Sequence, residues 1–95
     1  MSDALYAAQS PDADEVRWLL VKIWQEVLGR DEPIADSDDF FELGGHSLLV
    51  LHVAGALTDE LGFDMPAQTL FDYPVLGPQA AAIAELVASQ TGSPV

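Results

Sequence analysis

The sequence predicts an all-α fold, a small four-helix bundle with three main helices, one short helix and a long first loop. Three observations predict it. Apolar residues recur at helical spacing in separate segments, glycine or proline punctuates each segment, and no stretch alternates convincingly as a strand. With 95 residues, 49% of them hydrophobic, the chain can bury one modest core but not two.

The first helix lies in PDADEVRWLLVKIWQEVLG, where Asp12 followed by Glu15 fits a capping box. Val16, Leu19, Leu20, Ile23, Trp24, Val27 and Leu28 form its apolar stripe, and Gly29 supplies the stop. Trp18 and Val21 fall off that stripe and are expected to pack under an arm carrying Leu5 and Tyr6. Residues 30–46 then form a connection long enough to need pinning, for which Phe40, Phe41 and Leu43 are available. The second helix runs from about Ser47 to Leu61, ending before Gly62. At about 100° per residue, Leu49, Val50, Val53, Ala54, Leu57 and Leu61 share its core face. Ser47, Leu48, Leu51, His52, Gly55, Thr58 and Asp59 share the other. A short helical turn after Pro66 offers Leu70 and Phe71 to the core, and Pro74 ends it. Gly77 and Pro78 suit the cap and first position of a last helix carrying Ile83, Leu86 and Val87 on one side. Residues 1–11 read as a flexible arm, 12–90 as the folded domain and 91–95 as a flexible tail.

Charge excludes several classes of partner. Sixteen acidic residues against three basic ones give a formal charge of −13, and residues 31–95 contain no lysine or arginine. Phosphate backbones and anionic lipid surfaces repel such a chain, so no nucleic acid and no membrane partner is expected. Like charge also favours a monomer, and basic proteins are the natural partners. There is no cysteine, which removes disulfides, thiolate metal sites and a cysteine nucleophile. No signal segment or membrane span is evident, so a cytoplasmic location is expected.

Within DDFFELGGHSLLVL, Ser47 stands at a helix start behind Gly44, Gly45 and His46. Serine there is a favoured cap, and taken alone the fragment implies no more. A calcium loop fails, because Phe40, Phe41 and Ser47 stand where acidic, glycine and glutamate residues are needed. A serine hydrolase fails too. Leu49 replaces the last glycine of a nucleophile elbow, and adjacency in the chain does not make His46 a base. Two histidines without a defined carboxylate set make no metal site, and no catalytic residue is assigned. Leu48 and Leu51 are apolar on the outward arc beside Ser47 and suggest a docking patch, while Asp36 and Asp38, at alternate positions of the loop, read as a solvated negative rim.

The wider context, DDFFELGGHSLL followed by LGFDMPAQTLFDYP, closely resembles the thiolation, or peptidyl carrier protein, domain of nonribosomal peptide synthetases, within the acyl-carrier-like superfamily. The resemblance spans roughly residues 14–88 and is most specific at Phe40, Phe41 and 44–48. It implies that Ser47 accepts 4′-phosphopantetheine from coenzyme A through a separate magnesium-using phosphopantetheinyl transferase. The arm's thiol then holds an aminoacyl or peptidyl group as a thioester, the chain itself being no enzyme. Implied partners are an adenylation enzyme and condensation, tailoring or thioesterase enzymes of natural-product (antibiotic) biosynthesis. Leu48 and Leu51 are expected to touch them, with Asp38, Asp39 and Glu42 attracting their basic residues.

The chain departs from the family pattern in two places. His52 and Ala56 stand where arginines are frequent, and Val75 replaces a threonine that often caps the last helix. Gly77 with Pro78 is expected to move that helix start two residues later. The limits of the chain suggest a free-standing carrier, with a domain excised from a larger synthetase as the alternative. Alternatives are an acyl carrier protein of a polyketide or fatty-acid-like pathway, and an unmodified helical adaptor; the histidine of GGHS favours the peptide-synthetase branch.

Overall fold

The computed structural model describes residues 13–91. Expectations placed on Asp12, on the arm with Leu5 and Tyr6, and on the tail after Thr91 lie outside the described residues. Four helices follow in order, α1 Ala13–Leu28, α2 Ser47–Leu61, α3 Ala67–Asp72 and α4 Leu76–Thr91. The described residues contain no strand, and one isolated antiparallel bridge joins Asp39 to Val75. α1 packs chiefly against α4 and then α2, while the short α3 touches both α2 and α4.

α1 buries Val16, Leu20, Ile23 and Trp24 along the expected stripe. Gly29 adopts φ +68°, and Arg30 N–H then donates to the Gln25 carbonyl at 3.0 Å, closing the helix in a left-handed stop. Val21 does not stand aside as expected. It packs against the core, because a helix flanked by two neighbours buries a wide arc rather than one stripe. Trp18 remains 65% exposed, with the Lys22 ammonium 5.2 Å from its ring centroid.

α2 buries Val50, Val53, Ala54 and Leu57 and stops at Gly62, φ +83°. Thr58, expected on the outward arc, is half-buried. Its hydroxyl donates to Ala54 C=O at 2.9 Å and accepts Met65 N–H at 3.0 Å, tying the following loop back to the helix. α3 buries Leu70, but Phe71 is 38% exposed, contrary to expectation. Successive helical residues point about 100° apart, so one turn cannot aim both at the same core.

The largest correction falls on α4. It begins at Leu76, two residues before the expected start, and so includes Gly77 and Pro78 in its first turn. Loop carbonyls make this possible: Leu76 N–H donates to Asp38 C=O at 3.0 Å and Gly77 N–H to Asp36 C=O at 2.9 Å. Pro78 has no N–H to satisfy. Among the described residues Gln79 is the buried polar side chain, and its place was not anticipated. It accepts the Trp24 indole N–H at 3.1 Å and donates to Tyr73 C=O at 2.8 Å, satisfying one group on α1 and one just after α3.

Candidate functional site

The loop before α2 is built around Phe40. Its ring is buried and meets Trp24 edge-on, with centroids 5.1 Å apart. Phe40 N–H donates to Pro74 C=O at 2.9 Å, and its own carbonyl accepts Gly45 N–H at 2.9 Å. Leu43 is partly buried against the core, as expected of a pinning residue. Phe41 pins differently, since it stays 38% exposed and stacks on Phe71, with centroids 6.3 Å apart and rings 19° from parallel.

The two glycines have separate causes. Gly44 has φ +108°, a conformation that L side chains rarely adopt, with open space around it. At Gly45 the constraint is packing. A Cβ there would lie 2.3 Å from the Phe40 ring and 2.7 Å from the Phe40 carbonyl oxygen. The second glycine therefore answers to the interior of the loop, as well as to any partner approaching from outside.

Past the glycines, His46 is extended (φ −151°, ψ 177°) and occupies the cap position of α2, and its side chain makes no capping bond. Ser47 is the first helical residue. The expectation that Ser47 caps the helix is thus corrected, because the capping geometry belongs to the residue before it. Ser47 and His46 are both exposed. Among the described residues no side-chain hydrogen bond joins Ser47 to His46 or to a carboxylate.

Leu48 and Leu51 flank this hydroxyl at 59% and 54% exposure, with Leu51 one turn after Ser47 on the same side of α2. Exposed Phe71 and Tyr73 add apolar surface that the sequence reading did not single out. The acidic residues separate into two kinds. Asp38 accepts Ala35 N–H at 2.8 Å, and Asp39 accepts Phe41 N–H at 2.8 Å and Glu42 N–H at 3.2 Å, so both carboxylates shape the loop. Glu42 is exposed. Among the described residues no group of three or more His, Cys, Asp or Glu could hold a metal ion.

The chemistry such a site permits is limited. An open cleft lined by Lys22, Gln25, Glu26, Gly29, Arg30 and Asp31 does not include Ser47, and neither does a groove beside Tyr73 and Pro78. Among the described residues, no side-chain hydrogen bond links the Ser47 hydroxyl to a base or a carboxylate of the kind a serine nucleophile uses. The hydroxyl stands exposed at the start of a helix, open to a group approaching from solvent.

Comparison with known proteins supplies the class. The family model described as "Phosphopantetheine attachment site" matches residues 18–83, and the chain belongs to that family. It is accordingly a carrier rather than a catalyst, and 4′-phosphopantetheine is its cofactor. Among relatives, surfactin synthase subunit 3 of Bacillus subtilis (strain 168) is 44% identical over 63 residues, 66% of this chain and 5% of that protein. Tyrocidine synthase 3 of Brevibacillus parabrevis is 46% identical over 70 residues, 74% of this chain and 1% of that protein. The chain thus spans a small fraction of the curated relatives it matches. Among solved structures, the complex of the phosphopantetheine transferase Sfp with coenzyme A and a peptidyl carrier protein matches with TM-score 0.64 and 35% identity, covering 78% of this chain and 90% of that one.

The residues present fit the cofactor. The first amides of a helix lack intrahelical acceptors and favour an anion, the His46 side chain does not compete for them, and the Ser47 hydroxyl is open to solvent.

Proposed function

We propose that Ser47 is the attachment residue and that the chain carries an aminoacyl or peptidyl group during nonribosomal peptide biosynthesis. The observation that carries this reading is the exposed, unpartnered hydroxyl at the first position of α2, delivered by Gly44, Gly45 and His46. In the loading step the Ser47 Oγ forms a bond to the pantetheine phosphorus of coenzyme A and the pyrophosphate bond breaks. Adenosine bisphosphate leaves, and the hydroxyl proton passes to the transferase or to water. When bound, the cofactor supplies the thiol that the chain lacks, on which a thioester can form.

The chain's own residues orient and recognise. Gly44 and Gly45 leave the approach to Ser47 free of side chains, Leu48 and Leu51 offer an apolar contact, and Glu42 with the free carboxylate edges of Asp38 and Asp39 draws basic groups on a transferase, an adenylation enzyme, or condensation, tailoring and thioesterase partners. Contacts of this size suit a carrier that must leave each partner again. No described helix is long and apolar enough to cross a membrane, and a cytoplasmic site of action accords with coenzyme A as cofactor source. The reading holds for a unit that stands alone or within a longer synthetase.

The test is intact mass before and after incubation with coenzyme A, magnesium and a phosphopantetheinyl transferase. One phosphopantetheine should be added to the wild type and none to Ser47→Ala, whose stability should change by about 0.5 kcal/mol or less because Ser47 is not the cap. No gain in folded, unmodified protein would return the chain to the adaptor reading. Loading by acyl transferases but not by adenylation enzymes would assign it to polyketide-type cargo instead.

A further inference from the structure

The start of α4 lacks the side chain that commonly serves a helix N-terminus. Val75 holds the cap position, where its carbonyl accepts Gln79 N–H at 2.9 Å, and it has no hydroxyl. A hydroxyl there would have little to do. A cap oxygen accepts from the second or third helical amide, and the third residue of α4 is Pro78. The second is Gly77, whose amide is already bound to Asp36 C=O at 2.9 Å, beside the bond from Leu76 N–H to Asp38 C=O at 3.0 Å.

The loop backbone therefore caps α4, and the approach to α4 in turn holds the loop. Pro74 C=O accepts Phe40 N–H at 2.9 Å, and Asp39 pairs with Val75 in the antiparallel bridge. The Asp36 carboxylate adds an ion pair to Arg17 on α1. From this seam the path to the site is short. Phe40 C=O accepts Gly45 N–H at 2.9 Å, the Phe40 ring lies against Gly45, and Ser47 follows two residues later.

We infer that Gly77, acting through Asp36, is a positioning residue for Ser47, because the seam between the loop and the first turn of α4 holds the hydroxyl in its presented conformation. The inference rests on Ser47 being the modified residue. Its physical handle is a close approach, since a Cβ at position 77 would meet Asp36 Cβ at 3.2 Å and the Asp36 carbonyl oxygen at 3.3 Å. Alanine is a better helix former than glycine, so Gly77→Ala favours α4 while pressing on the loop. Helix stability and loop order then move in opposite directions, which a glycine of purely helical importance would not produce. A loop that is competent for a fraction of the time raises the apparent KM for the carrier in inverse proportion to that fraction and leaves kcat unchanged.

The experiment compares the wild-type chain with Gly77→Ala and Gly77→Val, the milder change remaining readable should the larger one unfold the domain. Native-state amide exchange is followed at Phe40 and Gly45 in the loop and at Val53 and Leu57 in α2, alongside transferase kinetics at varied carrier concentration. In Gly77→Val, protection at Phe40 and Gly45 should fall nearly to that of an open segment, while Val53 and Leu57 hold within about twofold. KM for the carrier should rise about three- to tenfold with kcat nearly constant, and Gly77→Ala should show the same pattern more weakly. Equal changes at all four amides, or lost loop protection with unaltered KM, would overturn the inference. A wild-type chain that accepts no phosphopantetheine defeats the Ser47 assignment instead, and the exchange contrast still decides whether the seam orders the loop.

Discussion

At Gly45 and Phe40 one side chain occupies the space that another residue gives up. The ring lies where a Cβ at position 45 would be, and it also anchors the loop against Trp24. Gly45→Ala should therefore cost about 1–3 kcal/mol as an overpacked site, read from chemical denaturation midpoints. Combining it with Phe40→Leu should recover part of that loss, which independent sites would not do. Gly44→Ala meets no neighbour, and its cost of about 1–3 kcal/mol comes from the backbone, so Phe40→Leu should not relieve it. The repeated glycine looks redundant in the sequence. It answers two unrelated constraints, one of dihedral angle and one of volume.

The amide of Gln79 on α4 joins the Trp24 indole N–H of α1 to the carbonyl of Tyr73, the residue that ends α3. Replacing it by alanine leaves a buried donor and a carbonyl without partners, at about 1–3 kcal/mol, and tryptophan fluorescence during urea unfolding would measure the loss. An unchanged midpoint would mean that water takes over both bonds. α2 has the opposite character on its outer side, where Leu48 and Leu51 contribute nothing to the core. Leu51→Asp should leave helicity intact and slow processing by a partner enzyme, and unchanged kinetics with every partner would remove Leu51 from the docking surface.

At the scale of the molecule the formal charge of −13 dominates. The ion pairs of Arg17 with Asp36 and of Arg30 with Glu32 have exposed carboxylates and contribute little to stability. Self-repulsion is the larger electrostatic effect, so moderate salt should raise the urea midpoint by screening it. The same salt should slow association with basic partners. A midpoint that falls as salt is added would show instead that the ion pairs outweigh the repulsion.

The sequence by itself determined the helices, their apolar faces and the segment on which Ser47 stands, because these follow from local periodicity and from glycine and proline punctuation. Val16, Leu20, Ile23 and Trp24 on α1, and Val50, Val53 and Leu57 on α2, are buried where their spacing placed them. The resemblance around GGHSLL carried the family, and the match over residues 18–83 agrees with it. What only the tertiary structure decided are the features that need two distant segments at once. Gln79 enters the core because Trp24 supplies a donor 55 residues away, and α4 starts at Leu76 because the carbonyls of Asp36 and Asp38 arrive to bind its first amides. The partners of a backbone amide at a helix end are not written in the helix itself.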